Sequence, residues 1–276
     1  MSPASRIRDR GEPNLPRPGT ALVTGASSGI GRELARLHAA AGGDLVVVAR
    51  RADRLAALKA ELEAAHGVAV HPLALDLARP DAADVVAAFL AEHGIVVDVL
   101  VNNAGVGGGG PAHAAPAGRD LGIVAVNVAA PVALGRLVVP GMVARRHGRV
   151  LNVGSIVGFA PGPWLAAYAA SKAFLLSWSE ALAEELAGTG VTVTYLAPGL
   201  TATEFHAAAG YVAGGETAAG GVAPGPVAEA GYRAMLAGRR VAFAETTTAI
   251  AAFAPRLLPR RATAALAGWL ARRSGR

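Results

Sequence analysis

The sequence predicts a doubly wound α/β fold, a parallel sheet of about seven strands with helices on both faces. Three observations carry this expectation. Short apolar runs alternate with helix-length amphipathic stretches from residue 20 to residue 245. The first run opens into a glycine turn and then a helix, T-G-A-S-S-G-I-G at 24–31. The second run, D-L-V-V-V-A at 44–49, is apolar without alternation, as a strand buried on both faces of a parallel sheet is.

Taken in order, the apolar run 20–23 is the first strand. The helix after the glycine turn places Ile30, Leu34, Leu37 and Ala41 on one face. The three glycines of the turn serve different physical ends. Gly25 permits a sharp turn, Gly29 lets a diphosphate approach the backbone, and Gly31 lets the helix pack close to the sheet. A helix N-terminus carries unpaired N–H groups and the positive end of the dipole, which suits a phosphate. Residues 44–49 are the second strand, with Arg50 and Arg51 at its C-terminal end. An acid there would bond a ribose 2′-hydroxyl, whereas a base favours a 2′-phosphate. Arg50 stands in the acid's place, and NADP(H) is the expected coenzyme.

Helix 54–66 carries leucines at 55, 58 and 62, and strand three spans 68–75, ending on Asp76-Leu77. Pro80 is expected to open the next helix, at a position that tolerates proline. Strand four, 97–101, closes on N-N-A-G at 102–105. A helical stretch covers 117–147, divided or bent at Pro131 and Pro140. Residues 148–153 are strand five, with Ser155 just beyond it. Helix 164–187 follows and contains Y-A-A-S-K at 168–172. Strand six is 191–196, followed by Pro198-Gly199. Residues 200–223 lack periodicity and read as a lid. A helix at 226–237 and a short strand at 240–244 complete a single Rossmann-like domain, 20–245. Residues 1–19, rich in Arg and Pro, read as a disordered tail, and 246–276 as a helical extension.

Composition narrows the function classes. With 53% hydrophobic and 17% charged residues, a large core is within reach and global disorder is excluded. The absence of cysteine rules out disulfides, thiolate metal sites and a cysteine nucleophile, and is compatible with a cytoplasmic protein. Net charge is +6, but the arginines are dispersed and only Lys59 and Lys172 are lysines, so nucleic-acid binding is not expected. No secretory leader is recognisable. The most apolar stretch, 121–144, is interrupted by Asn127, Pro131, Arg136 and Pro140, and no membrane span is expected.

Tyr168 and Lys172 are four residues apart on a helix, so their side chains share a face. In a chain that otherwise uses arginine, Lys172 marks a place that needs a compact ammonium. A free phenol, with a pKa of about 10, exchanges protons poorly at neutral pH, and a nearby ammonium stabilises its phenolate. Tyr168 is then the candidate acid/base for a carbonyl oxygen. Ser155 is the candidate hydrogen-bond partner of that oxygen, and Lys172 also reaches the nicotinamide ribose.

These motifs, in this order and spacing, make the chain resemble the short-chain dehydrogenase/reductases, of the NADP-preferring type. The resemblance runs over roughly residues 20–245. It implies an oxidoreductase that moves hydride between NADP(H) and a carbonyl or hydroxyl carbon of a small to medium, mostly apolar substrate. The implied catalytic set is Asn127, Ser155, Tyr168 and Lys172, with Asn127 holding a water that links Lys172 to solvent. Coenzyme contacts are implied for Gly25, Ser27, Ser28, Gly29, Ile30 and Gly31 at the turn, and for Arg50 and Arg51 at the 2′-position. Asp76 and Leu77 are implied at adenine, and Asn103, Ala104 and Gly105 behind the coenzyme. Pro198, Gly199 and Thr201 are implied as coenzyme contacts, and Thr203 at the nicotinamide carboxamide. A homodimer or homotetramer through 117–147 and 164–187 is also implied. A non-catalytic dinucleotide sensor is the alternative; it has no use for a Tyr-Lys pair.

The histidines at 38, 66, 71, 93, 113 and 147 show no ligand-like pairing and read as surface or helix-end residues, and no metal is expected. His206 reads as a solvated loop residue. Phe159, Trp164, Phe205 and Tyr211 are candidates for an apolar substrate pocket, and Trp164 equally for a cap on the catalytic helix. The basic, Leu-rich tail from 255 admits three readings: a packed helix, a subunit contact or a peripheral membrane face.

Overall fold

The computed structural model describes residues 18–116, 118–205, 221–253, 255 and 258–273. Strands β1 (Thr20–Thr24), β2 (Asp44–Ala49), β3 (Val70–Ala74), β4 (Val97–Asn102), β5 (Gly148–Val153), β6 (Val191–Ala197) and β7 (Val241–Phe243) form one sheet. Their order is β3-β2-β1-β4-β5-β6-β7, and every neighbouring pair is parallel. The chain winds outward from β1 in one direction and then returns to wind from β4 in the other. The crevice outside the C-terminal ends of β1 and β4 is therefore the topological switch point, where ligands bind in open α/β sheets.

The helices are α1 (Gly29–Ala40), α2 (Ala52–His66), α3 (Ala82–Glu92), α4 (Arg119–Val124), α5 (Ala130–Ala144), α6 (Ala166–Glu185), α7 (Pro224–Leu236), α8 (Thr246–Phe253) and α9 (Arg260–Arg273). Strand side chains alternate between the two faces. Ala21 and Val23 join Leu34, Leu55, Leu62, Tyr232 and Met235 in one buried layer. Leu22, Val46 and Leu100 join Val86, Leu90, Leu134 and Met142 in the other. Each such leucine, removed from water almost entirely, contributes about 1.5–3 kcal/mol. The unalternating apolar run of β2 follows from this: both of its faces are covered.

Several sequence expectations need correction. Pro80 lies in a turn, and α3 begins at Ala82, after a turn stapled by the Arg79–Asp81 ion pair. Pro131 and Pro140 do not divide the long helical stretch. Pro131 has no N–H to give the Asn127 carbonyl, and just upstream, over Ala125–Ala129, the ladder widens so that Ala130 N bonds Ala125 O, one residue beyond the α register. Pro140 sits inside α5, which continues through it. Arg119–Ala144 is long and apolar enough, by length and composition, to cross a membrane, and half of its most apolar window is buried in the fold. Helix α6 begins at Ala166, because Trp164 just before it holds a left-handed φ of 63°.

Helix α9 packs through small residues. Thr263 and Gly268 are buried, with Ala264, Ala267 and Ala271 partly covered beside them. The Gly268 face abuts Pro163 and Trp164. The large residues Leu266, Trp269 and Leu270 point outward, with Arg273 stacked over Trp269 at 4.5 Å. The N-terminal stretch 1–17 and positions 206–220, with most of the expected lid, His206 and Tyr211, lie outside the described residues.

Candidate active site

A cavity of about 830 Å³ opens at the switch point. Its floor is set by a network on Thr24 at the end of β1. The Thr24 hydroxyl donates to Val101 O and accepts from the amides of Asn103 and Ala104, both at 3.0 Å. The Asn103 side chain donates back to Thr24 O at 2.9 Å and Gly25 O at 3.3 Å. The N-N-A-G segment is thus fastened to the glycine turn, which leaves no room for a side chain at Gly25. Gly25 has φ 67°, and a Cβ there would press on Ala104. Gly31 does not line the cavity. A Cβ on it would overlap the Asn103 amide and Gly25 O, so its role is close packing. Gly29, at φ 57°, does line the cavity, and only Thr203 stands close to the space a side chain would take. No side chain caps the first turn of α1, whose N–H groups begin at this cavity.

The two arginines after β2 differ. Arg50 is exposed at the cavity wall. Arg51 reaches back to the glycine turn, donating to Ser28 Oγ at 2.8 Å and Ser27 Oγ at 3.0 Å, and to Glu204 at 2.7 Å. The sequence singled out Arg50; the geometry brings Arg51 to the serines. Asp76 and Leu77 line the same end.

At the other end, Ser155, Tyr168 and Lys172 are all buried on the cavity wall. Lys172 Nζ lies 5.8 Å from the Tyr168 ring centroid and donates to Val153 O at 2.9 Å. Burial pushes its ammonium down to about 8. Ser155 precedes a single 3₁₀ turn, Ile156–Phe159, and its Oγ accepts from Val157 N at 3.3 Å. Asn127 is buried but does not line the cavity. Its amide is engaged with Val106 N and O, both at 2.9 Å, and with Ser171 Oγ at 3.0 Å, so it braces the loop after Gly105 against α6. Ala104, Gly105, Pro198, Gly199, Thr201 and Thr203 all line the cavity, as do Ser27, Ser28 and Ile30. Thr201 also pairs with Val222.

Tyr195 was not singled out in the sequence. It is fully buried on β6, and its hydroxyl accepts from Ser155 N at 3.0 Å and donates to Ser155 O at 2.9 Å. A tyrosine in an apolar strand carries no local signal for this; the glycines at 154 and 158, whose Cβ atoms would collide with Tyr195, are its only trace. Of the pocket candidates, Phe205 lines the cavity 5.5 Å from the Tyr168 ring. Phe159 packs on Tyr195 and Phe243 instead, and Trp164 lies under Arg272 of α9. His38 stands at the helix end, in the last turn of α1, but buried rather than on the surface, between Gly19 O and the Tyr232 hydroxyl. Among the described residues no group of three metal-ligating side chains occurs.

The short chain dehydrogenase family model matches residues 19–210. The chain belongs to the short-chain dehydrogenase family. The chain is 44% identical over 191 residues to a short chain dehydrogenase of Pseudocercospora fijiensis, covering 68% of this chain and 61% of the relative. It is 41% identical over 180 residues to a very-long-chain 3-oxoacyl-CoA reductase of Aspergillus clavatus, covering 64% of this chain and 52% of that protein. The chain thus spans between half and two thirds of the length of these two relatives. Among solved structures, it resembles a Sphingobium yanoikuyae short-chain dehydrogenase in complex with NADPH, with TM-score 0.76 and 34% identity over 83% of this chain and 88% of the other. A Burkholderia phymatum family member in complex with NAD matches with TM-score 0.75 and 26% identity over 85% and 91%. The sheet order and the glycine cradle of this family member fit a nicotinamide dinucleotide.

Proposed function

We propose that this oxidoreductase is an NADP(H)-dependent carbonyl reductase or alcohol dehydrogenase acting on a small to medium, mostly apolar substrate. One observation carries the reading: Tyr168 and Lys172 share one buried wall of the cavity whose other end holds the glycine turn and Arg51. Ser27, Ser28 and Arg51 would hold the 2′-phosphate, Gly25 and Gly29 would admit the diphosphate, and Thr203 would face the carboxamide. The bound nicotinamide supplies or accepts hydride. Tyr168 gives the proton to the substrate oxygen, or takes it in the reverse direction. Lys172, buried and cationic, favours the phenolate form. Ser155 orients the oxygen by a hydrogen bond. Asn127 acts as a brace for the loop and α6, and its main-chain carbonyl, which Pro131 cannot serve as an i+4 donor, would be the group to hold a water. Phe205 and Leu200 would offer an apolar wall to the substrate.

The test is Tyr168→Phe. NADPH affinity by fluorescence titration should stay within about twofold, while turnover falls by at least about 100-fold. Full activity in that variant would remove the phenol from the mechanism. A wild-type chain inactive on a broad carbonyl panel would favour a dinucleotide sensor. A second reading follows the name of the Aspergillus relative: a 3-oxoacyl thioester as the carbonyl substrate. NADPH oxidation with simple ketones against 3-oxoacyl thioesters separates the two. A homo-oligomer is part of the reading, since Leu121, Val124 and Phe174 remain exposed on α4 and α6.

A further inference from the structure

Arg51 and Arg54 converge on one acid that belongs to a distant part of the chain. The Glu204 carboxylate takes Arg51 Nη1 at 2.7 Å on one oxygen and Arg54 Nη1 at 2.8 Å on the other. Arg51 at the same time holds Ser27 and Ser28 of the glycine turn. Glu204 directly follows Thr203, whose side chain stands 3.1 Å from the place of a Cβ on Gly29. The segment after Gly199 therefore passes over the turn, and its acid lies between Arg51, which a 2′-phosphate would seek, and Arg54, which holds the acid from the other side. A carboxylate and a phosphate are alternative anionic partners for the same arginine forks.

We propose that Glu204 sets coenzyme selectivity by competing with the 2′-phosphate of NADP(H) for Arg51, with Arg54 holding the acid in place. The inference rests on the reading of Arg51 as the 2′-phosphate ligand. NADPH must displace the carboxylate, whereas NADH, which lacks the phosphate, leaves the ion pairs in place. Glu204 thus weakens NADPH binding and narrows its margin over NADH. The pairs are roughly half exposed, so the effect is moderate and salt-sensitive.

Glu204→Gln removes the charge and keeps the shape. Isothermal titration should show NADPH and adenosine 2′,5′-bisphosphate binding about three- to tenfold more tightly in this variant. NADH and 5′-AMP should stay within about twofold of wild type. Asp53→Asn is the control, an equal change of net charge one residue from Arg54. Equal tightening of both coenzymes in Glu204→Gln, no tightening, or the same gain in Asp53→Asn would each overturn the proposal. If the wild-type chain prefers NADH or binds neither dinucleotide, the coenzyme assignment has itself failed, and this inference falls with it. If wild type prefers NADPH and Glu204→Gln is silent, only the inference fails.

Discussion

The Tyr195 hydroxyl lies 2.9 Å from the Ser155 carbonyl oxygen and 3.0 Å from the Ser155 amide nitrogen, both buried. It also reaches Lys172 O at 3.3 Å, so one phenol ties the turn carrying Ser155 to the helix carrying Tyr168 and Lys172. Tyr195→Phe would leave the Ser155 N–H and C=O without this partner, at a cost of about 1–3 kcal/mol in urea unfolding. Turnover should fall about tenfold with NADPH affinity unchanged, because the Ser155 turn and the Lys172 carbonyl lose their shared anchor while the glycine turn is untouched. Unaltered turnover would make Tyr195 a core residue with no bearing on the site.

The two arginines after β2 should respond unequally. Arg51→Asp should raise the Kd for NADPH by about tenfold or more, since it removes a charge-assisted partner at the serines and brings in a repulsive one. Arg50→Asp should have a smaller effect, because Arg50 is exposed. Titration of both variants with NADPH and NADH checks the order. A larger effect at Arg50 would restore the assignment expected from sequence spacing.

His38 should make the protein acid-labile. Desolvation holds its imidazole down at about 4 in the folded chain, against an ordinary 6.5. Between these values the unfolded chain binds the extra proton, so stability is fully present above about pH 6.5 and is lost as pH falls toward 4. The loss should be on the order of 3 kcal/mol. Urea melts of wild type and His38→Gln over this range should show the slope only in wild type. Equal slopes would assign the acid sensitivity to the carboxylates instead.

Lys172 should be retained at a cost to stability. Its folded value of about 8 lies below the ordinary 10.5, so the buried ammonium penalises folding below pH 8, and the penalty disappears as pH rises toward 10.5. Lys172→Met removes a penalty on the order of 3 kcal/mol and leaves Val153 O unpartnered, which costs about 1–3 kcal/mol. The Tm at pH 7 should therefore be no lower than wild type, while carbonyl reduction is lost. A large fall in Tm would show that Lys172 serves the fold.

Much of the architecture was legible in the chain because it is written in local periodicity. The unalternating apolar run of β2 named a strand covered on both faces. The i, i+4 spacing of Tyr168 and Lys172 placed two side chains on one wall. The glycine turn announced a helix N-terminus open to a phosphate. Where local rules misled, the neighbour was remote in sequence or the local pairing was unforeseen. Pro80 obeyed a good rule for a helix start, yet the Arg79–Asp81 pair holds it in a turn. His38 sits in a helix with no local mark of burial, and Tyr232 and Gly19 enclose it.

Spacings of a few residues were enough to specify the sheet, the glycine turn, the order of the motifs and the family resemblance. Packing had to choose the rest: that Arg51 rather than Arg50 meets the serines, that Gly31 packs rather than lines the cleft, and that Glu204 sits between two arginines. Packing also put Tyr195 beneath Ser155. Those relationships join residues about 25 to 150 positions apart, and the distance across a folded chain is set by how helices pack on a twisted sheet, which no local pattern encodes.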